Sequence, residues 1–174
     1  PPVIFRDLKP ENVMVSEDRH LKLIDFGLAR HFDPGKRRDT EAIGSVGYAP
    51  PEIWEDAGQT DARSDVYSLG ATMYFVLTGR PPSPVYGTHR LAPYRPDLGK
   101  ELEALVLRCM EPEPEARFSN AAEFILRHML DASGALMHSW RLGRCSGPAC
   151  ADDYGELIDG LVELHQATGE PRWL

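Results

Sequence analysis

A chain of 174 residues with 42% hydrophobic side chains can build one sizeable core and an appended helical segment. Its formal net charge of −8 argues against general nucleic-acid binding. No apolar run approaches the ~20 residues that span a bilayer and no signal-peptide pattern is visible, so a cytoplasmic protein without a membrane segment is expected.

In chain order, Asn12-Val13-Met14-Val15 and Leu21-Lys22-Leu23-Ile24 are short strand-like runs around a polar, turn-forming stretch, residues 16–20, and predict a β-hairpin. The hairpin sets Arg6-Asp7-Leu8-Lys9-Pro10-Glu11-Asn12 beside Asp25-Phe26-Gly27. Two carboxylates, an amide and an ammonium on adjacent loops are the groups that phosphoryl transfer from a metal-nucleotide requires. Asp25 and Asn12 offer hard oxygen ligands suited to Mg²⁺. Asp7 is placed to take or orient the proton of an attacking hydroxyl, and Lys9 to counter charge on the moving phosphoryl group. The bland alternative is an ordinary hairpin with charged ends.

After Gly27 a basic, turn-rich stretch runs to Thr40, followed by Gly44-Ser45-Val46-Gly47-Tyr48-Ala49-Pro50-Pro51-Glu52. Asp65-Val66-Tyr67-Ser68-Leu69-Gly70 opens a helix with Val66, Leu69, Met73, Val76 and Leu77 near a helical period, stopping at Gly79 with Pro81 beyond. Leu102, Leu105, Val106, Cys109 and Met110 form a second stripe, followed by a Pro- and Glu-rich turn to Arg117-Phe118, and Asn120 with Glu123 reads as a capping box. Residues 143–149 read as a loop, and Leu157, Ile158, Leu161 and Val162 share one face of a last helix that stops at Gly169-Glu170-Pro171. The three cysteines, Cys109, Cys145 and Cys150, fit neither a disulfide framework nor a zinc site and read as reduced thiols.

Over residues 1–130 these motifs resemble the larger, C-terminal lobe of a bacterial-type serine/threonine protein kinase. The resemblance implies Asp7 as base, Lys9 on the phosphoryl group, Asn12 and Asp25 on Mg²⁺, Ser45 positioning the acceptor, and ATP with Mg²⁺ as cofactors acting on a protein Ser or Thr hydroxyl. It also implies that Asp65 holds the backbone of the catalytic loop and that Glu52 and Arg117 form a buried ion pair. Phe5 stands where His commonly precedes Arg-Asp and Pro50 where Ala is usual; neither change removes a catalytic group, and Phe5 can pack on Phe26 next to Gly27. Arg6 is a candidate receiver for a phosphate on Thr40, with Lys36, Arg37 and Arg38 nearby; the alternative is a solvated basic loop. Tyr86, His89 and Tyr94 lie in a Pro-rich region that varies among kinases and often meets substrates.

The chain carries no glycine-rich strand-loop-strand and no strand lysine with a helix glutamate partner, the parts that clamp nucleotide phosphates. The chain is therefore read as a partial kinase domain whose missing partner is an upstream N-lobe, with weak ATP binding and negligible transfer expected of it alone. The tail, residues 131–174, resembles a piece of the α-helical toroid of thioredoxin-domain proteins of the spermatogenesis-associated type, through Asp153-Tyr154, Leu157-Ile158, Gly160-Leu161 and Pro171-Arg172-Trp173-Leu174. A fusion of unrelated fragments, or a kinase extension packing back on the lobe, both accommodate it. The expected fold is thus mainly α, of α+β type: a kinase-like large lobe with a short β-hairpin at the catalytic loop and a C-terminal helical segment. A non-catalytic docking or pseudoenzyme module is the second functional class.

Overall fold

The computed structural model describes residues 3–149 apart from 18–20, 34, 36–38, 40–42, 55–58, 121–122, 124, 127–128 and 142–143. Thr40, the basic residues Lys36, Arg37 and Arg38, Cys150 and the tail helix expected near residues 154–162 lie outside the described residues.

A short strand β1 (Val3–Ile4) leads into the loop of residues 5–9 and pairs antiparallel with β4 (Arg30–His31). Between them, β2 (Val13–Val15) and β3 (Leu21–Leu23) form the antiparallel hairpin, with Val13 opposite Leu23 and Val15 opposite Leu21. The short helix α1 (Pro51–Trp54) precedes the long helix α2 (Ala62–Thr78), and α3 (Lys100–Cys109) packs against α2.

Helix α2 begins earlier than the Asp65 opening read from its apolar period. Asp61 is its N-cap, accepting from Arg63 N, and the Ser64 hydroxyl accepts in turn from Asp61 N, which completes a capping box. Gly79 ends it in the left-handed conformation, φ 68°, that a C-terminal glycine adopts without steric cost.

The buried face of α2 also differs from the expected stripe. Tyr67, Ala71 and Tyr74 join Val66 in the core and Met73 and Leu77 pack partly buried against it as expected, whereas Val76 is 70% and Leu69 37% exposed. On another side, Ser64, Ser68 and Thr72 are buried as well. Their hydroxyls can enter the interior because they find partners within the helix: Ser68 Oγ donates to Ser64 O at 3.2 Å and Thr72 Oγ1 to Ser68 O at 2.8 Å. A helix enclosed on several sides does not show a single apolar stripe.

Close contact between α2 and α3 depends on Gly70, where a Cβ would fall 2.6 Å from Cys109 Cβ and 2.9 Å from Met110 Cγ. Leu102, Leu105, Val106 and Cys109 of α3 fill the far side of this core with Phe118 and Leu91. Burial pushes the Cys109 thiol up to about 12, so this cysteine packs as a small hydrophobe.

Within the stretch expected as a helical tail with a loop at 143–149, the structure instead has two paired antiparallel strands, β5 (Met137–Arg141) and β6 (Arg144–Pro148). Gly and Pro content suggested a loop, but strand pairing satisfies the backbone there. A Leu130–Leu136 bridge and a bond from Met137 N to Met129 O, 2.8 Å, join it to the preceding segment. Among the described residues no helix is long and apolar enough to cross a membrane.

Candidate active site

The candidate catalytic loop, residues 5–9, is built onto α2. Phe5 N and Arg6 N donate to the two carboxylate oxygens of Asp65, each at 2.8 Å. Arg6 is held at φ 70°, a conformation unfavourable for a side chain with a Cβ, and the bond to its N–H from the α2 side helps fix it there. Burial pushes the Asp65 carboxyl above its ordinary value although both amide donors pull it down.

From this turn the Asp7 carboxylate enters a compact polar cluster. Ser45 Oγ donates to Asp7 Oδ1 at 2.8 Å, while Lys9 Nζ lies 2.8 Å and Asn12 Nδ2 3.0 Å from Asp7 Oδ2. Lys9 Nζ also donates to Ser45 Oγ at 2.9 Å, and Asn12 Nδ2 to Asp7 O at 2.8 Å. Asp7 and Asn12 are buried, 8% and 5% exposed, so their orientations are set by these bonds rather than by solvent. Ser45 is presented by a turn in which its carbonyl accepts from Tyr48 N and Ala49 N.

Both bonds donated by the Asn12 amide go to Asp7, which leaves its carbonyl oxygen as the group able to serve a cation. Asp25 follows Ile24, whose N–H donates to Asn12 O at 3.0 Å, so the second candidate ligand is carried to the same end of the hairpin. Asp25 sits at φ 62°, is exposed, and accepts from Gly27 N at 3.2 Å. A carboxylate and an amide oxygen are the hard donors Mg²⁺ takes, and Mg²⁺ keeps several waters of its own, so this pair suits a partial, solvent-open shell. Phe26 of the same loop meets Phe5 edge to face, with centroids 5.1 Å apart at 81°.

Farther out, Arg117 forms a fork with Glu52: NH1 to Oε1 and NH2 to Oε2, both 2.8 Å. Its remaining donors reach Glu111 O, Pro112 O and Arg63 O, so a guanidinium 3% exposed has all its hydrogen-bonding directions engaged. Ser64 Oγ donates to Glu52 Oε1 at 2.9 Å, tying the ion pair to the start of α2. Asn120 Oδ1 accepts from Glu123 N at 3.0 Å, but the Glu123 carboxylate turns back to Ser119 N and Oγ, both 2.7 Å, rather than to Asn120 N. The reciprocal cap is therefore shifted by one residue.

One cluster was not foreseen. Asp39 makes an ion pair with Arg30, accepts from Thr60 N and Thr60 Oγ1, and lies 3.6 Å from Arg6 NH2. Its members are separated by long stretches of chain and carry no shared motif, so no local signal could have joined them.

The protein kinase domain family matches residues 2–140, which include both loops and the long helix α2; the chain belongs to that family. The match continues into β5. The chain is 42% identical over 137 residues to serine/threonine-protein kinase PknB of Mycolicibacterium smegmatis and 40% over 136 residues to PknB of Mycobacterium tuberculosis, covering 70% of this chain and 22% of each relative. It is 37% identical over 134 residues to serine/threonine-protein kinase A of Synechocystis, covering 67% of this chain and 26% of that protein. The chain thus spans about a quarter or less of the length of the curated relatives it matches.

Proposed function

We propose that this chain supplies the large lobe of a serine/threonine protein kinase, which moves the γ-phosphoryl group of ATP to a Ser or Thr hydroxyl of a protein. The observation that carries the reading is the Asp7 cluster. Among the described residues Oδ1 accepts one hydrogen bond, from Ser45, and an oxygen with two lone pairs keeps one for the acceptor hydroxyl. Asp7 takes or orients that proton, Ser45 and Asn12 fix the carboxylate plane, and Lys9 brings a positive charge to the same point. Asn12 through its amide oxygen and Asp25 through its carboxylate would hold Mg²⁺, which when bound neutralises charge on the phosphate oxygens.

The nucleotide-clamping lobe is a further part of this proposal. Beside the site, Met14, Val15, Leu21, Leu23 and Phe26 are between 44% and 72% exposed, an apolar surface of the kind a second lobe covers. These 174 residues expressed alone therefore bind ATP weakly and transfer phosphate negligibly. Titration with ATP and Mg²⁺ tests this: saturation at micromolar concentrations, about −8 kcal/mol, would overturn it.

The catalytic reading is tested in the gene product that includes the upstream sequence, using γ-labelled ATP and casein as acceptor, followed by phosphoamino-acid analysis. Phosphoserine or phosphothreonine is expected, with Asp7→Asn lowering kcat by about 10²- to 10⁴-fold. Phosphotyrosine alone, or no transfer by the wild type, would overturn it.

A further inference from the structure

The segment that follows Asp25-Phe26-Gly27 returns to the catalytic loop at Asp39. This side chain is 11% exposed and faces two arginines: Arg30 of β4, with which it forms an ion pair, and Arg6, whose NH2 lies 3.6 Å away. Thr60, with no exposed surface, gives both its N–H, at 3.0 Å, and its hydroxyl, at 2.7 Å, to Asp39 Oδ2. Arg30 NH2 closes the ring by donating to Thr60 O and Oγ1 at 3.2 and 3.1 Å.

One carboxylate therefore joins three pieces of the lobe. Arg6 immediately precedes Asp7. Arg30 stands opposite Ile4 in the strand pair that enters the catalytic loop. Thr60 immediately precedes the α2 cap, Asp61, on the helix whose Asp65 grips Arg6 N. Charge of this sign between two arginines is what phosphorylation of such a loop would bring, since a phosphate orders a segment by pairing with arginine. Here that negative charge belongs to the unmodified chain.

We propose that Asp39 is a positioning residue: its carboxylate, drawing Arg30, Thr60 and Arg6 together, holds the segment after Asp25 against the catalytic loop without phosphorylation. The proposal rests on the kinase reading above. Asp39 acts on Asp7 through Arg6 and does not touch the reacting atoms. Phosphorylation of the adjacent Thr40 is then dispensable for activity, and the Arg6 reading changes from receiver of a phosphate to partner of a resident carboxylate.

The test uses the gene product with its upstream sequence, stripped of phosphate by a protein phosphatase that is then removed, and assayed with γ-labelled ATP and casein. The dephosphorylated wild type and Thr40→Ala retain full initial activity. Asp39→Asn loses up to about 10²-fold in kcat, the scale of a misplaced catalytic group, with the KM for ATP unchanged, and Asp39→Glu recovers most of it. Thermal melting checks that each variant folds; if Asp39→Asn melts early, Arg30→Gln carries the same expectation of lowered kcat. Wild-type activity that disappears with the phosphate, or an Asp39→Asn enzyme equal to wild type, overturns the inference and leaves the kinase reading standing. A wild type with no transfer in either state overturns both.

Discussion

The two loops that carry the candidate chemistry are supported differently. The loop with Asp7 is bolted to the interior: Phe5, Asp7 and Asn12 are buried, Asp65 holds its backbone, and Ser45 and Lys9 close around its carboxylate. The loop with Asp25 and Phe26 is exposed and leans on its own turn, through the Asp25 to Gly27 bond, and on one ring contact to Phe5. The half built on Asp7 is preorganised by its own hydrogen bonds. The half built on Asp25 has fewer contacts among the described residues, and under the proposed function its geometry would be completed by the bound nucleotide and a second lobe.

The largest effect that would break this contrast lies beneath the anchored half. Arg117→Ala strands the buried Glu52 carboxylate and is expected to cost about 3 to 5 kcal/mol in chemical denaturation. Arg117→Lys recovers little, because an ammonium cannot reproduce the fork or reach the three carbonyls. If Arg117→Ala instead behaved as a surface change, the anchored half would not depend on this pair.

Asp65→Asn sharpens the contrast inside the loop. The amide replaces one of the two acceptors by a donor, leaving an N–H of Phe5 or Arg6 without its partner, and should cost about 1 to 3 kcal/mol. Hydrogen exchange should accelerate at these two amides while that at Gly27 stays as it was; equal acceleration in both loops would show that they are one cooperative unit.

Acid probes the anchored half from behind α2. His89 is 1% exposed, meets the Tyr74 ring edge to face at 5.7 Å and contacts Ser83 O at 2.9 Å. Burial lowers its value below the ordinary 6.5, outweighing the bond to Ser83. A depressed folded-state value means that the unfolded chain takes up the proton first, so this contribution is present above pH 6.5 and lost as pH falls through the folded value. Stability should decline as pH falls from 6.5 toward the folded value, by at most ~1.4 kcal/mol per pH unit, and level off below it, and His89→Gln should flatten this part of the profile in pH-dependent melts.

The smallest effect is expected in the exposed loop. Phe26 is 59% exposed, so Phe26→Ala should change the stability of this lobe by no more than about 1 kcal/mol, mostly the lost ring pair. A larger loss would mean that the Asp25 loop is more tightly built into the lobe than its exposure indicates.

Much of this contrast was legible before any coordinates. Strand-like runs on either side of a polar turn predicted the hairpin that brings Asn12 and Asp25 to one end, because hairpin pairing is decided by residues close in sequence. The α3 stripe was legible for the same reason, its apolar side chains repeating at helical spacing on one side. The face of α2 was not: hydroxyls bonded to their own helix carbonyls entered the core while Val76 stayed outside, and only the surrounding elements choose among the sides of such a helix. Residues 144–148 form a strand where a loop is expected, because glycine and proline counts cannot report strand pairing.

By itself the sequence determined which chemical groups the chain brings, and through the hairpin, where two of its loops meet. The tertiary structure decided which of those groups are held and by what. Asp39 finds Arg30 and Thr60, and Arg117 finds Glu52, across chain separations that only folding closes, and burial turns these charges from solvated surface groups into partners that cannot be removed singly without cost.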